Sequence, residues 1–337
     1  MKLSDMNEAL FFVGTFTNGA PYFQNAHGDG ILTVAIDLNT GRLEHRHTYR
    51  DILNPDYLAF DPSRRMLFAV ADNLTAPGHV EAFRVAQDGR LEFLSRQSSQ
   101  APVTCHVCAG EEVYAASYMD SCLTAHAVTA TGISELRREF RYHGTGPNPS
   151  RQETSHAHQV AITPDDRQLY VCDLGADKIW IHRIENGRLA GDAPAFFALP
   201  AGSGPRHLEF HLTLPLVYVL CELNGQLLVL NRHTGKLFAE LPAGDAAIRL
   251  RGGTIYTSNR ADNTLSVFQL DDTGMPGLTG RFDTGVDGPR DFNIDPTGRW
   301  LIVAGQNSNT LVVHELSRER RPAMLEVKAP VCIIFAR

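Results

Sequence analysis

Little in this sequence points to a membrane, to nucleic acid or to a disulfide framework. No run approaches about 18 consecutive apolar residues, so a transmembrane helix is excluded as an expectation. Helical periodicity is weak throughout, and there is no coiled-coil pattern and no low-complexity tract. The net charge is −7, which argues against general affinity for nucleic acid or an anionic membrane surface. Only 6 cysteines occur in 337 residues. They are scattered, five of them in or beside predicted strands as small apolar residues, as reduced thiols in the cytoplasm would be. The N-terminal MKLSDMNEALFFVG carries acidic residues before a very short apolar stretch, which suits a lead-in to a strand better than a signal peptide.

Catalytic motifs are equally scarce. There is no GxSxG elbow, no P-loop and no dinucleotide fingerprint, so covalent serine catalysis and nucleotide chemistry have no support. The CHVC at Cys105–Cys108 has the spacing of a redox or zinc pair. On a strand, however, positions i and i+3 face opposite sides. Of the 2 tryptophans, Trp180 and Trp300, both fall inside strand-like runs, and no Trp-Asp blade ending of the WD-repeat kind appears.

What the chain does have is a repeat. Seven apolar runs end on or next to polar residues: FFVGTF, MLFAVAD, EVYAASY, QLYVCDL, LVYVLCE, TIYTSNR and WLIVAGQ. Their anchors, Phe12, Phe68, Tyr114, Tyr170, Tyr218, Tyr256 and Ile302, recur roughly every 40–55 residues, the period of a propeller blade. Each run but the first is preceded by another strand: DYLAF, VTCHV, HAHQVAI, RHLEF, AAIRL and RDFNI. Turns such as DPSRR, TPDDR and DPTGR separate the two. A third strand follows each anchor, from ILTVAIDL to TLVVHEL, and then usually a glycine-containing turn with an outer segment such as NTGRLEH, QDGRLEF or ENGRLAG. The C-terminal VCIIF has no partner after it, and FFVGTF has none before it. Together they complete one blade.

The expected fold is therefore all-β, a seven-bladed β-propeller of four-stranded antiparallel blades. Its ring is closed by the C-terminal strand, which removes an exposed sheet edge. Length alone would favour two domains, but seven blades use the whole chain, so residues 1–337 are expected to form a single propeller domain.

Two insertions break the repeat, Asn18–Asp29 and Tyr142–Ser155, and loops this long in a compact ring are often functional. Antiparallel geometry puts first-strand starts and second-strand ends on one rim. The starts carry Asn54-Pro55, His156-Ala157-His158, Pro205-Arg206-His207 and Pro289-Arg290-Asp291. The ends carry Asp72-Asn73, Tyr118, Asp173, Glu222, Asn259-Arg260 and Gln306-Asn307. Arg206, Arg260 and Arg290 converge there, with Arg151 in the long loop upstream. Guanidinium forks match the oxygens of a carboxylate or phosphate, so the rim suits an anionic ligand. The alternative is that each arginine pairs with a neighbouring carboxylate, such as Asp291 or Asp173, and staples blades. His156 and His158, two apart on a strand, share a side and offer a base or a proton donor. A metal is the other use of such a pair, but no third ligand accompanies them. Glu222 either acts as a base, orients a histidine, or accepts a hydrogen bond between blades.

The stretches NPSRQETSHAHQVAITPDDRQLYVCDLGADKI, GSGPRHLEFH with YVLCEL, IYTSNRADNTLSVF and GPRDFNIDPTGRWLIVAGQNSNTLVV together resemble the lactonase family of seven-bladed propellers. That family includes bacterial 6-phosphogluconolactonases and fungal carboxy-muconate lactonising enzymes. The resemblance spans essentially the whole chain. It implies a rim site with His158 or His156, Arg206, Glu222 and Arg260 as the catalytic set. Arg290, Arg151 and Gln152 are implied ligand contacts, and the rim residues His207 and Asp173 join them as candidates for substrate binding. It also implies hydrolysis of a sugar lactone in the cytoplasm, without metal or other cofactor, by a monomer or weak oligomer. A cycloisomerase acting on a muconate-type diacid is the alternative, and a non-catalytic interaction platform a third. One departure stands out. Family members often carry a glutamate in the sixth inner strand, where this chain has Ala246-Ala247-Ile248-Arg249, followed by a shortened turn at Arg251-Gly252-Gly253. The fold is the firmer inference, since one propeller can host many activities.

Overall fold

The computed structural model describes residues 7–19, 26–317 and 323–336. Over these residues the chain forms seven sheets of antiparallel strands, with a single short 3₁₀ turn at Met119–Ser121 as the one helical element described. In sheets two to seven the strands follow one another from the inside outwards in chain order. The first sheet has the order Pro330–Phe335, Glu8–Thr15, Ile31–Asp37, Leu43–Tyr49, so the C-terminal strand closes the ring from the inside. Phe335 pairs with Phe11 across this closure, their rings 5.3 Å apart.

The seven anchors all fall in second strands, which are apolar on both faces because each blade is covered by a neighbour on either side. Phe12, Phe68, Tyr170 and Tyr218 are fully buried. The core is accordingly divided into clusters between adjacent blades. Trp300 and Ile302 of blade seven pack with Phe11, Val13 and Val34 of blade one. Trp300 also donates its indole N–H to the Leu38 carbonyl at 2.8 Å. Gly41, at φ +73°, lies against that indole, and a Cβ there would come within 2.6 Å of the ring.

Two outer strands differ from the sequence expectation. In blade four, ENGRLAG supplies only a two-residue hairpin arm, Arg188–Leu189. The outer strand proper is Ala195–Ala198, paired with Lys178–Ile181. Blade seven has an outer strand at Ala323–Glu326 that no glycine turn announced. All six cysteines lie in strands and are free. Half of the Asn18–Asp29 insertion, residues 20–25, lies outside the described residues, whereas Tyr142–Ser155 is pinned. Tyr142 stacks on Trp180 at 5.0 Å and its hydroxyl meets His182 Nε2 at 2.6 Å.

Candidate functional site

Four inner strands share one irregularity at the rim. Register shifts by one residue between Thr104 and His106, Ala157 and Gln159, Pro205 and His207, and Pro289 and Asp291. The extra residues are Cys105, His158, Arg206 and Arg290, and every one of them lines the same cavity. A bulge re-aims a side chain that regular alternation would place elsewhere. Here a repeated bulge turns four blades' first rim residues toward one space of about 410 Å³. That volume is within the range of small-molecule pockets, about 300–1,000 Å³.

The second-strand ends and the long loop complete the wall with Asp72, Tyr118, Glu222 and Arg260, and with Ser150, Arg151 and Glu153. His156 reaches the cavity from just before the strand, which begins at Ala157. The two histidines therefore converge through a loop and a bulge rather than through strand alternation. The His156 ring stacks on Tyr118 at 4.1 Å. Its Nδ1 faces the Tyr118 carbonyl at 3.1 Å and its Nε2 faces Glu153 Oε1 at 3.1 Å.

Glu222 is the electrostatic centre. Its Oε1 is 2.7 Å from Arg151 Nη2, and its Oε2 is 2.9 Å from Arg206 Nε and 3.3 Å from Arg260 Nη2. The Arg206 N–H is not aligned on that oxygen, so this contact is an ion pair without a directed hydrogen bond. Burial pushes the Glu222 carboxyl up, but Arg260, Arg206 and Arg151 outweigh it and hold the group well below the usual carboxylate range. A carboxylate so stabilised is a poor proton acceptor. Its office is to gather three guanidiniums. Arg206 is only 3% exposed, and burial with the neighbouring Arg260 charge lowers its pKa to about 10. Arg260 is also tied to Asp245, at 3.1 Å, so the stapling expected of these arginines exists but runs to a carboxylate the sequence did not nominate.

His158 is a candidate base. It is buried, Nδ1 has no protein partner, and burial followed by the Arg206 charge drives its pKa well below the ordinary histidine value. The imidazole is therefore neutral at physiological pH, with an acceptor or donor to offer the cavity.

Three further expectations are placed differently. Gln152 is buried and donates to the Leu174 carbonyl (2.9 Å) and Asp177 (2.8 Å). Asp173 accepts from the backbone N–H groups of His156 (2.8 Å) and Ala176 (3.1 Å) and from the Trp180 indole (2.8 Å). Neither lines the cavity. Both spend their polar atoms fixing the loop that carries Arg151 and His156. His207 lies behind His158, ring to ring at 5.3 Å, and beside His106 at 5.7 Å. Among the described residues no group of three or more His, Cys, Asp or Glu could hold a metal ion.

Rim position also concealed two residues. Asp56 and Asp72 both line the cavity. Asp72 closes MLFAVAD in register with the Glu222 that closes LVYVLCE, so the repeat itself held the signal. Asp56 follows Asn54-Pro55 with no motif to mark it. Arg249, at the end of the departing run in the sixth inner strand, pairs with Asp291 at 2.6 Å.

Comparison with known proteins covers nearly the whole chain. Residues 10–335 match the family model described as "Lactonase, 7-bladed beta-propeller". A protein named 6-phosphogluconolactonase from Bacillus subtilis is 27% identical, covering 98% of this chain and 99% of its own. Among solved structures, a putative 6-phosphogluconolactonase from Bacteroides fragilis superposes with a TM-score of 0.89 at 26% identity, covering 99% of each chain. The periplasmic gluconolactonase of Pseudomonas aeruginosa gives 0.86 at 27% identity, covering 97% of this chain and 99% of that one.

Proposed function

Because the chain belongs to the lactonase family of seven-bladed β-propellers and is a lactonase, we propose that it opens a phosphorylated or plain aldonolactone, with 6-phosphogluconolactone as the preferred substrate, at the cavity around Glu222. The observation that carries this is the joint presentation of three guanidiniums on one carboxylate and a neutral His158, its Nδ1 without a protein partner, to the same space. Lactone opening needs an activated water, a stabilised oxyanion and a grip on the acid.

His158 accepts the proton of the attacking water, a contribution of about 10²–10⁴ in rate. Arg206, preorganised by Glu222 and by its Nη1 donation to the Ala246 carbonyl at 2.5 Å, faces the carbonyl oxygen as charge develops. Arg151, Arg260 and Arg290 hold the phosphate or other anionic groups. Glu222 positions rather than proton-transfers, and Gln152 and Asp173 support the loop. His207 backs His158 from the channel side. The six unpaired cysteines support a reducing compartment. Among the described residues no helix is long and apolar enough to cross a membrane.

The test is hydrolysis of 6-phosphogluconolactone and of unphosphorylated gluconolactone, each corrected for spontaneous opening. Wild type is expected to accelerate both, the phosphorylated ring more, and Arg206→Ala to lose about 10²-fold or more in kcat/KM. Equal turnover by wild type and variant would reject the site.

A further inference from the structure

Blade two contributes two carboxylates to the wall opposite the arginines of blades four, five and six, and no step above uses them. Asp56 stands just before the inner strand Leu58–Asp61, and Asp72 just after the second strand Met66–Ala71. One carbonyl ties them together. Asn54 O accepts from Asp56 N at 2.7 Å and from Asp72 N at 3.3 Å, and Asn54 itself is at φ 40°. The Asn54 side chain fastens this turn to blade one, its Oδ1 accepting from Thr17 N and Asn18 N at 2.8 Å each. Asp72 Oδ1 accepts from Thr104 N at 2.8 Å. Asp56 is 5% exposed, its Oδ2 is 3.7 Å from Arg290 Nη2, and its Oδ1 is buried with no protein partner.

Two fixed, buried carboxylates facing one guanidinium cannot both ionise cheaply. Burial raises both groups above the ordinary carboxylate value. The neighbouring Asp56 charge raises Asp72 further, and Arg290 with Arg206 only partly offsets this for Asp56. The other titratable groups facing the pair are the thiols of Cys105 and Cys332, both pushed up by burial and so uncharged. Both side chains line the cavity, so a proton held on the pair at neutral pH stands in its wall.

Resting on the lactonase assignment, we propose that Asp56 and Asp72 share one proton and deliver it to the ring oxygen that leaves as the lactone opens. Water's oxygen bonds to the carbonyl carbon while its proton passes to His158. The bond from that carbon to the ring oxygen then breaks, and the ring oxygen's electron pair takes the carboxyl proton, giving the free hydroxyl of the hydroxy acid. The proton on His158 is released to solvent and the pair is reprotonated from solvent, so the sum is one lactone plus one water to one hydroxy acid. Without a donor the leaving group is an alkoxide, which is far more basic than a thiolate, whose parent thiol has a pKa of about 8.5.

The experiment compares gluconolactone with the corresponding thiolactone in the intact protein. Asp56→Asn and Asp72→Asn are near-isosteric, and unchanged circular dichroism establishes folding. Each substitution is expected to lower kcat on the oxygen ring by about 10²-fold and on the sulfur ring by less than about tenfold. Wild-type kcat should fall as pH rises and the pair loses its proton, and this fall should vanish in both variants. Because burial also raises Glu81 and Glu209 to about 7, the infrared readout is the wild-type-minus-variant difference at pH 7, which should show a protonated carboxyl band sensitive to deuterium for each variant. Equal losses on the two rings would overturn donation. A wild type that opens both rings but lacks the band would overturn the shared proton alone. A wild type that carries the band but opens neither ring would overturn the hydrolase assignment, and the donor role with it.

Discussion

Replacing Glu222 by glutamine removes the single anion around which Arg151, Arg206 and Arg260 are gathered. The side chain is about 10% exposed, so solvent screens the contacts little. Breaking a buried ion cluster by deleting one partner costs about 3–5 kcal/mol, because the remaining charges stay buried without compensation. Unfolding entropy of about 2.1 cal/mol/K per residue near 60 °C gives about 0.7 kcal/mol/K for this chain, so the melting temperature should fall by about 4–7 °C at pH 7. The pH dependence follows from the sign of the shift. Glu222 titrates lower when folded than when unfolded, so its stabilisation is complete above the unfolded glutamate value of about 4.3 and is lost as pH falls towards the folded value. The gap between Glu222→Gln and wild type should therefore be constant from pH 8 to pH 5. It should then narrow by up to about 1.4 kcal/mol per pH unit below about 4. Calorimetry at pH 7, 5 and 3 measures it. Equal melting at pH 7, or a gap unchanged between pH 5 and pH 3, would refute the clamp.

Gly175→Ala would put a Cβ 1.9 Å from the Thr154 carbonyl oxygen and 2.8 Å from the His156 ring, so it should displace the loop that carries Arg151 and His156. Lactonase kcat/KM should drop at least about tenfold by misplacement alone, with the fold retained by circular dichroism, and full activity would contradict the assigned loop role. Phe335→Ala empties a side chain that is 2% exposed and packed on Phe11, and should cost about 3–5 kcal/mol. An unchanged melting temperature would mean that the C-terminal strand does not close the ring.

The ring was legible because its physics is periodic. Doubly covered second strands are apolar through most of their length, and the anchors from Phe12 to Ile302 show it, with TIYTSN of blade six the most polar. The unpaired VCIIF and FFVGTF announced the closure by the same logic. The rim, too, could be located, since antiparallel strands return to the face they left. What alternation cannot reveal is a slip of register, and the four bulges at Cys105, His158, Arg206 and Arg290 are such slips. They decide which rim side chains enter the cavity. Asp173 and Glu222 both close second strands, but Asp173 pairs with Ala157 where Cys221 pairs with Pro205, so Glu222 stands one residue further along its strand. One caps a loop and the other clamps arginines, because only Glu222 has three guanidiniums within reach. Asp56 was invisible because its importance comes from a turn at Asn54 and from Arg290, five blades away in the chain. The outer strands Ala195–Ala198 and Ala323–Glu326 were missed or misplaced because outer edges bury little: Phe196 and Met324 are largely exposed, so no fully buried face marks these strands.

The most direct test is a crystal structure with 6-phosphogluconate. The central claim requires the product carboxylate within hydrogen-bonding distance of Arg206 and His158, with the phosphate held by Arg151, Arg260 or Arg290. Product seated elsewhere on the propeller, with the Glu222 cavity left free, would contradict it.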